Sequence, residues 1–195
     1  MTKENPREAL VRAAITILGS ARPPAMPLRD VAEAAGVTTG AIQHYFGNRH
    51  GLLVAAVDHQ TGQLIERLEA VENTHPTGHP RRLHALLLEL LPLDEERTRE
   101  TRLFTSFERS ATDDPSLAAE FTRRYQRLLD MVASELPGGT ADASLLLSVT
   151  YGTGADILLG VTTVETALAG IDRMLGLLGV ADVDAVDAVD AVDAD

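Results

Sequence analysis

A small group of polar residues with helical spacing lies in the middle of the segment from Pro27 to Leu53. At about 100° per residue, four residues share one arc of a helix: Thr39, Gly40, Gln43 and His44. The opposite arc is apolar: Ala41, Ile42, Tyr45 and Phe46. A glutamine amide pairs with the edge of adenine, and an imidazole donates to guanine or to a phosphate. The outer arc has no carboxylate, so the pattern predicts contact with base edges in a DNA major groove rather than only a solvated helix face.

Four nearby residues are predicted to contact the phosphate backbone. Arg49 falls in the first turn of a predicted helix, where the helix dipole disfavours a cation and a phosphate contact would explain one. Arg29 falls in the first turn of the helix that is expected to cross the DNA backbone. For Arg29, an ordinary solvated position is an equally good interpretation. The ring of Tyr45 is expected to pack inward while its hydroxyl reaches a phosphate, and Thr38 is a natural N-cap that leaves helical N–H groups free for one.

The elements that position these side chains are two short helices joined by a tight turn, with a third helix directly behind. Pro27 suits the first position of the first helix, and Gly36 suits the left-handed residue that closes it. Thr38 starts the second helix, and Asn48 can cap the third. The arrangement is a helix-turn-helix, whose second helix enters the major groove.

The run from residue 34 to 53, AAGVTTGAIQHYFGNRHGLL, closely resembles the DNA-binding end of TetR-family transcriptional regulators. The matching residues are Gly36, Val37, Thr38, Gly40, Tyr45, Phe46, Arg49 and Leu52. His44-Tyr45-Phe46 is similar to the betaine-operon branch of the family. Gln43 departs from the pattern, since most members carry a phosphate-binding tyrosine there, and so does Pro27, where many carry Thr or Ser. The resemblance covers about residues 8 to 60.

The resemblance implies a homodimeric, ligand-responsive repressor that acts on a pseudo-palindromic double-stranded DNA operator and answers to an unidentified small-molecule effector. It implies neither an enzyme nor a cofactor. Two alternatives from other classes stay open: an all-α protein-interaction module, and an enzyme that uses a cavity in the C-terminal part. No G-x-S-x-G elbow supports the enzyme.

Charge and composition fit this interpretation once their distribution is considered. The chain of 195 residues has a net charge of −12, but residues 1–60 hold six Arg/Lys and five Asp/Glu and are nearly neutral. Cysteine is absent, which excludes disulfides and thiolate metal sites. The N-terminus lacks an apolar signal core, and no apolar run is long enough to span a bilayer. We expect a cytoplasmic protein without a membrane partner.

The periodicity predicts an all-α chain of about nine helices and no strands. The predicted divisions are a helix-turn-helix DNA-binding domain at 1–50, an effector-binding and dimerisation domain at 51–180, and a disordered acidic tail at 181–195, where VDA repeats lack a core-forming pattern. The predicted helices after the first three lie at 48–72, 81–91, 94–112, 115–135, 141–159 and 163–178.

The C-terminal part contains candidate residues for two further sites. Candidate lining residues of an effector pocket are Leu103, Phe104, Phe107, Tyr125, Leu128 and Met131, with Arg109 or Asp156 supplying charge. Ordinary core packing is the alternative for each of them. By resemblance, the last two helices form the dimer interface, with candidates Leu146, Val149, Ile157, Leu168, Ile171 and Leu175.

Three histidines, His75, His79 and His84, raise the question of a metal site. The first two lie in a Pro/Gly segment, and no carboxylate stands between them at a ligand spacing. The sequence therefore favours a polar connection and predicts no metal site.

Overall fold

The computed structural model describes residues 5–20, 26–77, 79 and 81–180, and within them every regular element is an α-helix. The helices are α1 (Pro6–Leu18), α2 (Leu28–Ala34), α3 (Thr39–Phe46), α4 (Arg49–Thr74), α5 (Arg82–Leu88), α6 (Glu95–Thr112), α7 (Pro115–Ala133), α8 (Gly139–Leu159) and α9 (Val164–Leu177). The all-α prediction and the helix count are confirmed over this part of the chain. The predicted tail at 181–195 lies outside the described residues, as does most of the connection before Met26.

Side-chain caps explain where several helices begin. The Asn5 side chain accepts a hydrogen bond from the Arg7 amide at 3.0 Å and caps α1. Asp94 accepts from the Arg97 amide at 2.8 Å at the start of α6. The cap of α9 is Thr163, whose hydroxyl accepts a hydrogen bond from the Thr166 amide at 3.2 Å.

The helices form two compact units, which divide the chain within α4 and within α7. The first unit comprises Met1–Ile65 and Asp94–Arg123, and the second comprises Glu66–Leu93 and Arg124–Asp195. The first unit is larger than the predicted head at 1–50. The reason is that the first half of α4, α6 and the start of α7 contribute to the same hydrophobic core as α1–α3.

Each unit has its own core. In the first unit, side chains of α6, including Leu103 and Phe107, pack with α1 and α4 around Leu10 and Leu53. The core of the second unit consists of buried residues from α5, α7, α8 and α9: Leu83, Leu87, Leu91, Leu129, Val132, Leu136, Ala143, Leu146, Leu147, Ile171 and Leu175. Burial of these apolar stripes is the main favourable term in folding of each unit.

A buried arginine ties three helices of the second unit together. The Arg82 guanidinium donates to Glu135 Oε1 at 2.7 Å, to Glu72 Oε1 at 2.6 Å and to the carbonyl of His75 at 2.9 Å. These bonds fix the last turn of α4 and the turn that follows α7 against the start of α5. Nothing local in the sequence predicts this network, because its members come from separate helices.

Candidate nucleic-acid interface

The turn between α2 and α3 has the predicted geometry. Gly36 adopts a left-handed conformation with φ of 66°, which favours glycine because it lacks a Cβ. The Val37 amide then donates to the Ala32 carbonyl at 2.9 Å and closes the corner. Pro27 was predicted to be the first residue of α2, but its backbone is extended, with ψ of 120°. It is therefore the N-cap residue, and α2 begins one residue later, at Leu28.

Thr38 occupies the N-cap position of α3, but its hydroxyl makes no capping hydrogen bond. The predicted position is therefore confirmed, whereas the side-chain bond expected of an N-cap threonine is not formed. Without that bond, the hydroxyl does not satisfy an N–H group in the first turn of the helix. This end of α3 thus keeps donors that a phosphate oxygen can accept from.

The two faces of α3 are separated as the sequence pattern indicates. Ile42 is 1% exposed and packs in the core of the first unit. All four residues of the polar arc are exposed: Thr39, Gly40, Gln43 and His44. The structure thus brings the predicted base-contacting residues together on one free surface.

The aromatic end of α3 is more exposed than predicted. Tyr45 is 39% exposed, so its ring does not pack fully inward. It lies edge-on to His44, with ring centroids 4.8 Å apart, and tilted to Phe46 at 6.4 Å. Phe46 is half-buried and packs against the core of the first unit. These contacts restrict the rotamers of the residues that face outward beside them.

The start of α4 places Arg49 next to α3. Gly47 makes the bend with φ of 74°, and the Asn48 side chain accepts from the Gly51 amide at 2.9 Å, which confirms the predicted cap. Arg49 is the first residue of α4 and is half-buried, and Arg29 is exposed in the first turn of α2. Both positions remain predicted phosphate contacts.

Two contacts of this unit were missed by sequence reasoning. The Arg7 guanidinium stands over the Phe46 ring, 5.4 Å from its centroid. His50 Nδ1 lies 3.0 Å from Asp114 Oδ2, at the start of α7. The Ser116 hydroxyl that donates to Asp114 does most to hold the pKa of that carboxyl below its usual value, and the Leu117 amide and His50 add to the effect. No local pattern could have found either pair, because each joins distant segments.

The candidate effector residues are divided between the two units. Leu103 and Phe107 are buried in the core of the first unit, and Phe104 packs against it. Tyr125 and Leu128 pack against the core of the second unit. Met131 is half-buried, whereas Arg109 and Asp156 are exposed. Their role in effector binding remains a prediction.

Three of the six residues predicted to form the dimer interface are not at the surface. Leu146, Ile171 and Leu175 are buried in the core of their own unit, so they have no surface to offer a second protomer. Val149, Ile157 and Leu168 are half-buried. A different set of large apolar residues is exposed on α8, on α9 and in the turn between them: Leu145, Tyr151, Leu159, Val161, Val164 and Leu177.

The three histidines lie in or near the connection between α4 and α5. The rings of His75 and His79 are 4.7 Å apart, and His84 Nε2 is 3.0 Å from Asp172 Oδ1. Within the described ranges, no three His, Asp or Glu side chains are grouped as metal ligands would be. Across those same ranges, none of the helices combines the length and apolarity that crossing a bilayer requires.

Two family models match the chain. Residues 10–56 match the model described as bacterial regulatory proteins of the tetR family. Residues 80–149 match the model described as the C-terminal part of BetI-type transcriptional repressors. Together the two matches span more than half of the chain. The second match supports the similarity to the betaine-operon branch that His44-Tyr45-Phe46 indicates.

Individual relatives agree with the family models. The HTH-type transcriptional regulator BetI of Rhizobium meliloti (strain 1021) is 35% identical over 82 residues, which cover 42% of this chain and 39% of that protein. The chain thus aligns with about two fifths of the length of such curated relatives. A transcriptional regulator from Rhodococcus sp. Rha1 has the same fold, with a TM-score of 0.80, 27% identity, and coverage of 88% of this chain and 95% of that one.

A second solved structure extends the fold comparison to a ligand-bound protein. It is described as multidrug binding protein EbrR complexed with imidazole, and its TM-score is 0.63 at 23% identity, over 88% of this chain and 96% of that one. The fold, the exposed polar arc of α3 and the two family matches lead to one conclusion. This chain belongs to the TetR family of transcriptional regulators.

Proposed function

We propose that this regulator is a ligand-responsive repressor that binds a pseudo-palindromic operator as a homodimer. The observation that supports DNA recognition most directly is the exposed arc of α3, which presents Gln43 and His44 without a carboxylate. Arg29 and Arg49 flank it on α2 and α4. A surface of this kind suits a negatively charged groove, because its polar groups can pair with base edges while the cations meet phosphates.

In the proposed complex, α3 lies in the major groove. The Gln43 amide pairs with an adenine, and His44 donates to a guanine or a phosphate. The first turn of α3 and the two arginines fix the position of the helix on the backbone without selecting a sequence. Two heads of a dimer then read two half-sites about one helical turn apart.

The proposed dimer interface is the outer surface of α8 and α9. Leu145 and Leu159, which are 51% and 76% exposed, lie near the two ends of the outer face of α8, and Gly152 and Ala155 are exposed between them. The inner face of the same helix is also apolar. A helix that is apolar on both faces is normally covered on both, and small residues let a second helix approach closely. A second copy of this chain is the cover that the family implies.

The proposed effector is a small molecule that binds the C-terminal part, 51–180. A protein of the same fold is described as multidrug binding, which supports a ligand-responsive role. An effector releases the operator only if it binds one conformation of the dimer more tightly than the other. We propose that it favours a dimer whose two heads no longer match the operator spacing.

Selection of genomic DNA tests the proposal. Purified protein is mixed with sheared DNA of the source organism, and the retained fragments are sequenced. We expect a few fragments that share a pseudo-palindrome, and weaker retention of those fragments when Gln43 is replaced. If the folded protein retains no DNA at low salt, DNA recognition is wrong, and an all-α interaction module becomes the better interpretation.

A further inference from the structure

Arg7 belongs to α1, outside the helix-turn-helix, but its side chain reaches the recognition helix. Its guanidinium carbon lies 5.4 Å from the centroid of the Phe46 ring, over the last residue of α3. The side chain is exposed, and its backbone amide is held by the Asn5 cap. Arg7 is thus placed by two independent contacts, one from its backbone and one from its side chain.

The charge of Arg7 is not neutralised within the described part of the chain, where no carboxylate lies within ion-pair distance of it. Two exposed arginines of the same unit do have a carboxylate partner: Arg99 with Glu95 at 4.0 Å, and Arg123 with Glu120 at 2.6 Å. The position of Arg7 in the first turn of α1 does not stabilise its charge either, because a helix N-terminus disfavours a cation. The ring of Phe46 is its one described electrostatic partner.

The position of Arg7 places a cation beside the candidate DNA surface. Phe46 contacts Tyr45, which in turn contacts His44 of the polar arc. From Phe46 the chain turns through Gly47 and Asn48 to Arg49. Within the described part of the chain no carboxylate occupies the N–H donors of this guanidinium, so they stay free for an anion. Phosphate oxygens are well matched to those donors.

We propose that Arg7 is a phosphate-contacting residue of the DNA interface, held in place by the Phe46 ring. The inference rests on the DNA-binding function proposed above. Since residues 1–60 hold only six Arg/Lys against five Asp/Glu, one additional phosphate contact is a large share of the attraction of this end for DNA. The contact does not select a sequence, so it strengthens binding to operator and to other duplexes alike.

A salt titration with random-sequence duplex DNA tests the proposal before any operator is known. We compare the wild type with Arg7→Gln, Arg7→Lys and the control Arg123→Gln, which removes the same charge from α7. We expect Arg7→Gln to bind at least several-fold more weakly at low salt. The slope of log K against log salt should become shallower by about 0.9, the value for one phosphate that the protein no longer neutralises. Arg7→Lys should keep most of the slope, and Arg123→Gln should resemble the wild type.

The outcomes separate this inference from the proposed function. A wild type that binds no duplex would remove the proposed function itself. If the wild type binds duplex DNA but Arg7→Gln and Arg123→Gln have the same affinity and the same salt slope, only the role of Arg7 is overturned. The role would equally be overturned if Arg7→Gln lowered the melting temperature and the affinity while the salt slope stayed unchanged, because Arg7 would then act only through Phe46 and the fold.

Discussion

Gln43 is the exposed residue of α3 whose side chain can best distinguish one base pair from another. Its amide offers one donor and one acceptor, which adenine matches in the major groove. Gln43→Ala should therefore weaken operator binding by about 1–3 kcal/mol and relax the preference at one base pair per half-site. Titration of operator variants would measure both effects.

Arg49→Ala is the matched comparison for Gln43→Ala. It removes a proposed phosphate contact, so it should weaken binding to all sequences alike and flatten the salt dependence. If Gln43→Ala left both affinity and base preference unchanged, Gln43 would have no place in the recognition surface.

Replacement of glycine by alanine should have opposite effects at two positions of α4, Gly51 and Gly62. A methyl group on Gly51 would overlap the backbone carbonyl oxygen of Phe46, which cannot move without shifting the end of α3. A methyl group on Gly62 would meet nothing within 4 Å. Gly51→Ala should destabilise the protein and disturb DNA binding, whereas Gly62→Ala should stabilise it by about 0.5–1 kcal/mol through helix propensity. Urea unfolding of both variants measures this, and equal effects would contradict the close approach at Gly51.

At the scale of the helices, Asp114 links the start of α7 to the start of α4. Its carboxylate accepts from the Ser116 amide at 2.9 Å and the Leu117 amide at 3.2 Å, and it faces His50. The hydrogen bond from the Ser116 hydroxyl, those from the two amides and the nearby imidazole together lower its pKa. Folding therefore favours the charged form. The resulting stabilisation is fully present above the unfolded pKa of about 3.9 and is lost as the pH falls through the lower folded pKa.

Asp114→Asn should keep a capping side chain but remove this pH dependence. We expect the variant to be less stable than the wild type at about pH 6, with the difference shrinking as the pH falls below about 3.9. Urea midpoints measured across that range would show it. Asp113→Asn, one residue earlier and outside the cap of α7, is the control for removal of a negative charge. A difference between Asp114→Asn and wild type that did not change with pH would exclude the linkage.

At the scale of the whole molecule, the dimer interface is decided by which apolar residues are left exposed. Leu145 on α8 and Leu177 on α9 are 51% and 69% exposed, so a charge there is harmless to a single protomer. In a dimer that covers them it would bury an unpaired carboxylate. Leu145→Glu and Leu177→Glu should therefore fold, sediment as monomers and lose tight operator binding, because one head reads only a half-site.

Two controls accompany this prediction. Ile65→Glu places the same charge on an exposed apolar residue of α4 and should leave the assembly unchanged. Leu175→Glu should unfold the second unit, because Leu175 lies in its core. If Leu145→Glu and Leu177→Glu both stayed dimeric with normal affinity, the interface would not be the outer face of α8 and α9.

The local signals of the sequence determined the helices and the turn of the DNA-binding motif. The Asn48 cap, the left-handed Gly36 and the 3.6-residue period act between residues close in the chain, so they can be recognised without a structure. Pro27 was displaced by a single residue, and the largest error at a predicted helix boundary was three residues, at the end of α5. The exposed arc of α3 also followed from periodicity, because only one of its faces is apolar.

The tertiary structure alone decided which contacts join distant segments and which of two apolar faces is buried. Arg7 meets Phe46, and His50 meets Asp114, across separations that no periodicity encodes. On α8 the neighbours Leu146 and Leu145 are equally apolar, yet the first is in the core and the second is half exposed. Periodicity cannot choose between the two faces of a helix when both are apolar, since that choice depends on where α5, α7 and α9 pack.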